Sequence, residues 1–106
     1  MMRVLVIALA MVSPVTLAQT TWNSYKPPGG YVPDEVTAIK IAVAVWEPIY
    51  GADKIAGEKP FHATLRDGVW TVTGSMPSPP PRMSGGVAIA EISKDDGHII
   101  RVAHGK

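Results

Sequence analysis

Between Pro33 and Gly51 the chain reads PDEVTAIKIAVAVWEPIYG, and no other stretch combines helical periodicity with the length of a major helix. Val36, Ile39, Val43, Trp46 and Tyr50 recur at three- and four-residue steps, with Ala42 and Ile49 beside them. That spacing predicts one apolar face on a helix. Pro33, Asp34 and Glu35 suit the start, because proline needs no N–H partner there and carboxylates complement the helix dipole. Gly51 suits the stop. Pro48 removes one hydrogen bond and crowds the carbonyl of Ala44, so a kink or break is expected near Glu47. A second stripe, Ala38, Ile41 and Val45, leaves only Thr37, Lys40, Ala44 and Glu47 as a plainly exposable face. That stripe needs its own cover, found within the same domain or on a partner.

Beyond the helix the chain reads as strands. Phe61 to Arg66 and Val69 to Ser75 flank Asp67-Gly68, a pair suited to a two-residue turn with positive φ at both positions. The turn sets Arg66 opposite Val69, Leu65 opposite Trp70 and Ala63 opposite Val72. Phe61, Ala63, Leu65, Trp70 and Val72 then share the core face. His62, Thr64, Arg66, Val69, Thr71 and Thr73 share the other. A second hairpin, Gly86 to Ile92 and His98 to His104, turns at Lys94-Asp95-Asp96-Gly97. A four-residue loop aligns Glu91 with Ile100. A three-residue loop with a bulge at Gly97 aligns Glu91 with Arg101, an opposite-charge pair, and is preferred for that reason. It places Ala88, Ala90, Ile92, Ile100 and Val102 on the core face, where the two alanines let the helix approach. The segment from Ala52 to Pro60 reads as a loop or one short turn anchored by Ile55. The fold class is therefore α+β: one long helix on a curved four-stranded antiparallel meander.

The N-terminus reads MMRVLVIALAMVSPVTLAQT. Arg3 precedes an apolar run from Val4 to Val12, and Thr16 and Ala18 fit the −3 and −1 sites of a signal peptidase. The run is shorter than the roughly 20 residues of a membrane span. The expected organisation is a signal peptide over 1–18, an extended arm over 19–32 and one domain over 33–106. The expected location is periplasmic or secreted, with no stable membrane anchor after cleavage. Trp22, Tyr25 and Tyr31 in the arm are expected to pack on the helix. The chain has no cysteine, so its stability rests on its core rather than on disulfide staples. One of the ten Lys and Arg residues is Arg3; the others balance the nine Asp and Glu. No basic cluster marks a nucleic-acid binder.

Catalytic and metal patterns fit poorly. His98 and His104 are about 20 Å apart along one strand, and His62 sits on the opposite sheet edge. Ser75 lies in Gly-Ser-Met-Pro, which is not the G-x-S-x-G elbow. On the expected core face His104 is the only ionisable group, with Tyr50 as a neighbouring hydroxyl. No cofactor or metal ligand set is assigned. Between the hairpins, Pro77-Ser78-Pro79-Pro80-Pro81-Arg82 fits a P-x-x-P-x-R pattern but reads as a rigid extended loop.

From Gly30-Tyr31-Val32-Pro33 onward the chain resembles a family of bacterial immunity proteins with a nuclear-transport-factor-like (cystatin-like) fold. The matching blocks are AIKIAVAVWEPIYG, EKPFHATLRDGVWTVTGSMP and GGVAIAEISKDDGHIIRVAHGK. Pro79-Pro80-Pro81-Arg82 departs from the pattern, where a shorter turn is expected before Gly85-Gly86. The resemblance implies a non-enzymatic protein that binds and neutralises a cognate toxin effector of an interbacterial competition system. His62, Arg66, Met76, Arg82, Met83 and His104 are the candidate partner-binding residues, and a homodimer stays open. The alternatives are a PepSY-like or cystatin-like peptidase-inhibitory module and a small-ligand binder using the interior of the cone. A deep pocket holding His104 with Tyr50 would favour the last.

Overall fold

The structure is a computed structural model that describes residues 23–76 and 86–105. The signal-peptide assignment, Trp22, the polyproline segment, Arg82 and Met83 lie outside the described residues. The elements are α1 (Glu35–Tyr50), α2 (Ala52–Ala56), β1 (His62–Arg66), β2 (Val69–Thr73), β3 (Ala88–Ser93) and β4 (Ile99–His104). The strands form one antiparallel sheet in the order β1-β2-β3-β4, with helices packed on it. A single long helix is thus too simple a reading, because α2 comes directly after α1 and buries Ile55 completely.

Local chemistry explains the ends of α1. Asp34 caps it: one carboxylate oxygen accepts from the Thr37 N–H at 2.9 Å and the Thr37 hydroxyl at 2.7 Å. These bonds, the hydroxyl's foremost, hold the Asp34 carboxyl below its ordinary value. Gly51 ends the helix at φ 101°, and its N–H reaches the Glu47 carbonyl at 2.8 Å. Pro48 neither breaks nor stops α1, which runs to Tyr50. Ala44 and Pro48 are both exposed, so the carbonyl that loses its partner lies where water can supply one.

The buried face of α1 is rotated from the expected one. Ala38, Ala42 and Trp46 are fully buried, with Ile39, Ile41, Val43 and Tyr50 packed against the core. Val36 is 61% exposed and Ile49 58%. Small residues occupy the middle of the contact, in one cluster with Ala88 and Ala90 of β3. Alanines at the line of closest approach let helix and sheet come together, which a line of Val36, Ile39 and Val43 would prevent. The second stripe is therefore mostly core: Ala38 is buried, Ile41 packs against it and Val45 is half-buried.

The first hairpin has the expected register, Arg66 with Val69 through His62 with Thr73, and Asp67 and Gly68 take φ 52° and 77°. Leu65 is exposed, against expectation, because β1 is an edge strand. The second hairpin combines both candidate alignments. The Ser93 N–H donates to the His98 carbonyl at 2.9 Å, which closes a four-residue loop. A bulge then slips the register, so that Ile92 faces Ile99 while Glu91 faces Arg101. The extra residue is Ile100, not Gly97, and Ile100 is exposed rather than core. Glu91 and Arg101 do form an ion pair, at 3.5 Å.

The arm docks through its backbone. Tyr31 and Val32 N–H groups donate to the carbonyls of Asp95 and Lys94 at 2.9 and 3.0 Å, and Lys26 pairs with Asp95 at 2.7 Å. Val32 is fully buried, and its carbonyl accepts from the Trp70 indole at 2.8 Å. Gly30 sits at φ 91° where a Cβ would strike the Lys94 carbonyl. Tyr25, 73% exposed, and Tyr31 stay in solvent instead of packing on the helix.

Candidate functional site

Two places concentrate the chemistry of the described residues. The first is a buried polar cluster at the end of the sheet where β4 finishes. Glu58 lies just past α2 and is only 3% exposed. One carboxylate oxygen accepts from the Ala88 N–H at 2.8 Å, and the other meets His104 Nε2 at 2.7 Å. The backbone carbonyl of Glu58 takes the Ser75 N–H at 2.7 Å. One residue thus ties together the α2–β1 connection, the end of β2, the start of β3 and the end of β4. Gly74 makes the approach feasible, because a Cβ there would collide with the Glu58 side chain. Gly86 and Gly105 touch in the same way.

The cluster clasps the end of β4 to the α2–β1 connection. His104 Nδ1 lies 2.8 Å from the Gly105 carbonyl, which can only accept, so Nδ1 carries a hydrogen. Nε2 is engaged by Glu58. Both ring nitrogens thus have protein partners. Tyr50 closes the cluster with its ring 5.1 Å from the imidazole. Tyr50 and His104 meet as a ligand-binding cone would require, and the other neighbour of the imidazole is the Glu58 carboxylate. Ser75 is likewise committed. Its hydroxyl donates to the Pro60 carbonyl at 2.6 Å and stands 3.4 Å from His62 Nε2.

The second place is the sheet face turned away from the helices. Register assigns it in rows: His62, Thr73, Ile89, Ala103; then Thr64, Thr71, Glu91, Arg101; then Arg66, Val69, Ser93. Among the described residues no element lies over this face. His62, Thr64, Arg66 and Arg101 are exposed, and the inner positions are half-buried by their neighbours.

The candidate contact residues are divided between these places. His62 and Arg66 share the open face. Met76 is exposed just past β2, next to Ser75. His104 lies on the opposite face, its side chain 14% exposed and clasped by Glu58. Glu58 is the residue that sequence reasoning misses, because it sits in what reads as a loop. Its one signal is a core-facing His104 with no partner in the strands.

The NTF2 fold immunity protein family matches residues 37–106, from the first turn of α1 through β4. The chain belongs to this family. A member of the NTF2-fold immunity proteins is thus built here as helices on a four-stranded antiparallel sheet. The chain is also similar to a protein of Escherichia coli named "Uncharacterized protein YhhH", 34% identical over 89 residues, which cover 79% of this chain and 68% of that one. No solved structure matches the chain significantly. The family match takes in the Glu58–His104 clasp and the whole open face. It begins after Val32 and the Asp34 cap, although both belong to the folded unit.

Proposed function

We propose that the protein protects its cell by binding and neutralising a toxin protein in the periplasm, without turning over a substrate. Membership of an immunity family carries this reading. The clasp supports the non-catalytic part, since His104 and Ser75 are fully engaged by protein groups. The leader-like pattern of residues 1–18 supports the compartment, because an exported inhibitor meets a toxin that acts outside the cytoplasm.

The test is protection. Cells lacking the gene become sensitive to a neighbouring strain that delivers the toxin, and the full chain restores resistance. A version lacking residues 2–18, at equal expression, does not. Equal protection by that version would overturn the periplasmic assignment. No change in sensitivity on deletion, across competitor strains, would overturn the immunity reading.

A further inference from the structure

We propose that the free edge of β1 pairs with β1 of a second copy, antiparallel about a two-fold axis at Thr64, so that two sheets join into one. The inference goes beyond the immunity reading and does not depend on it.

The backbone comes first. Among the described residues β1 is an edge, bonded on one side to β2. In a hairpin closed by a two-residue turn, the residues flanking the turn exchange both backbone bonds, and every second pair repeats the pattern. Arg66, Thr64 and His62 therefore commit their N–H and C=O groups to β2. Ala63 and Leu65 point theirs away from the sheet, and no described loop bonds to them. Such a row of unpaired groups is a template for another strand. The other edge is guarded. β4 carries a bulge at Ile100, which breaks the regular spacing that a new strand requires. β1 has no bulge, and no proline or lysine lies between His62 and Arg66.

The side chains select a second copy as the occupant. Centred on Thr64, two antiparallel β1 strands overlap along their whole length. Ala63 of each copy lies opposite Leu65 of the other. These are the residues with outward groups, so each pair exchanges both of its bonds. On the helix side Leu65 meets Ala63, with Phe61 and Leu65 of the other copy on the diagonals, all apolar. Leu65 is 45% exposed in the single copy although it lies on the core-facing side, and the pairing gives it the cover it lacks. On the open side Thr64 faces Thr64, a favourable cross-strand pair, and His62 faces Arg66. With the imidazole neutral, no like charges stand opposite each other. Pro60 has no N–H, which ends the pairing just beyond β1. Moving the axis to Leu65 would instead set the two Arg66 side chains on a diagonal.

The experiment uses the full chain, isotope-labelled, over a concentration series from micromolar to millimolar. A junction of five-residue strands is smaller than a standard interface, so the dimer is weak and forms as concentration rises. Sedimentation velocity should show the shift from monomer to dimer. Amide exchange should slow at Ala63 and Leu65 over the same range, while the amides of Thr64 and Arg66, already bonded to β2, change less. Thr64→Lys alters an exposed side chain and sets two like charges opposite each other at the axis; it should keep its melting temperature and lose the dimer. Thr64→Val should keep both. A monomer at every concentration would overturn the proposal. So would a dimer that leaves exchange at Ala63 and Leu65 unchanged, or one that survives Thr64→Lys. Slow exchange at Ala63 and Leu65 that dilution does not relieve would assign the edge to the chain's own residues 1–22 or 77–85, and would also overturn it. If Thr64→Lys fails to fold, the exchange series on the natural chain decides without it.

Discussion

Glu58 is the residue on which most of the tertiary structure converges, and its weight comes from burial. Its carboxylate satisfies a backbone N–H of β3 and an imidazole of β4. Glu58→Ala would leave both unpaired in a largely buried site. Removing one member of a buried pair costs about 3–5 kcal/mol. Urea denaturation should therefore show a loss near the lower end of that range, since His104 keeps some exposure. A loss under about 1 kcal/mol, the scale of a surface pair, would mean the clasp adds little. Asp96 makes a different point. It is exposed, and its carboxyl is lowered to about 2, first by the His98 backbone N–H and then by the His98 side chain. A group depressed on folding stabilises the fold fully above its unfolded value near 4 and loses that contribution as pH falls through about 2. Carboxyl-detected NMR titration should find Asp96 still ionised at pH values where an ordinary aspartate is half protonated. A midpoint near 4 would show that the turn bonds are not kept in solution.

The elements differ in how far local rules reach. Both ends of α1 are readable because Asp34 and Gly51 act on their immediate neighbours. The first hairpin is readable in full, since Asp67-Gly68 dictates the register of the strands it joins. The face of α1 is readable in part: Ile39, Ala42, Val43, Trp46 and Tyr50 meet the core as expected, whereas Val36 and Ile49 are exposed. The position of Ala88 and Ala90 turns the helix so that Ala38 and Ile41 of the second stripe join the contact. The arm misleads for a related reason. Its aromatic residues look like anchors, yet backbone bonds to Asp95 and Lys94 dock it, together with one buried valine. A chain starting at residue 37, where the family match begins, would lose Val32, the Trp70 acceptor and the Asp34 cap. Burial of one valine, one buried hydrogen bond and one helix cap are together about 4 kcal/mol. Such a chain should melt about 20 °C lower than one starting at residue 23. Equal melting temperatures would mean the arm lies outside the cooperative unit.

At the scale of the whole molecule, an edge-to-edge gradient of stability is expected. β2 and β3 pair on both sides and carry the fully buried Val72, Ala88, Ala90 and Ile92. β1 and β4 are edges, with Leu65, Ile99 and Ile100 in solvent. Native-state hydrogen exchange should find the slowest amides in Trp70 to Thr73 and Ala88 to Ile92, with β1 opening first. Slowest exchange in β1 would contradict this order. The same arrangement has the functional consequence. Helices close one face of the sheet and a clasp closes its end, which leaves the other face as the broad surface without a described layer.

The sequence by itself determined the class of fold, the helix ends, the first hairpin and the Glu91–Arg101 pairing. Each is set by residues close in the chain or joined by a short turn, where few conformations compete. The tertiary structure alone decided how far α1 is turned on the sheet, where the β4 bulge falls, how the arm docks and that His104 is clasped by Glu58. Apart from the bulge, which lies within one hairpin, those outcomes depend on contacts between residues tens of positions apart, and the choice is made by packing volume and by satisfying buried polar groups. No local pattern encodes either quantity. Arg66 and His62 were legible as exposed because β1 alternates, whereas His104 was clasped because β4 ends against a carboxylate 46 residues earlier in the chain.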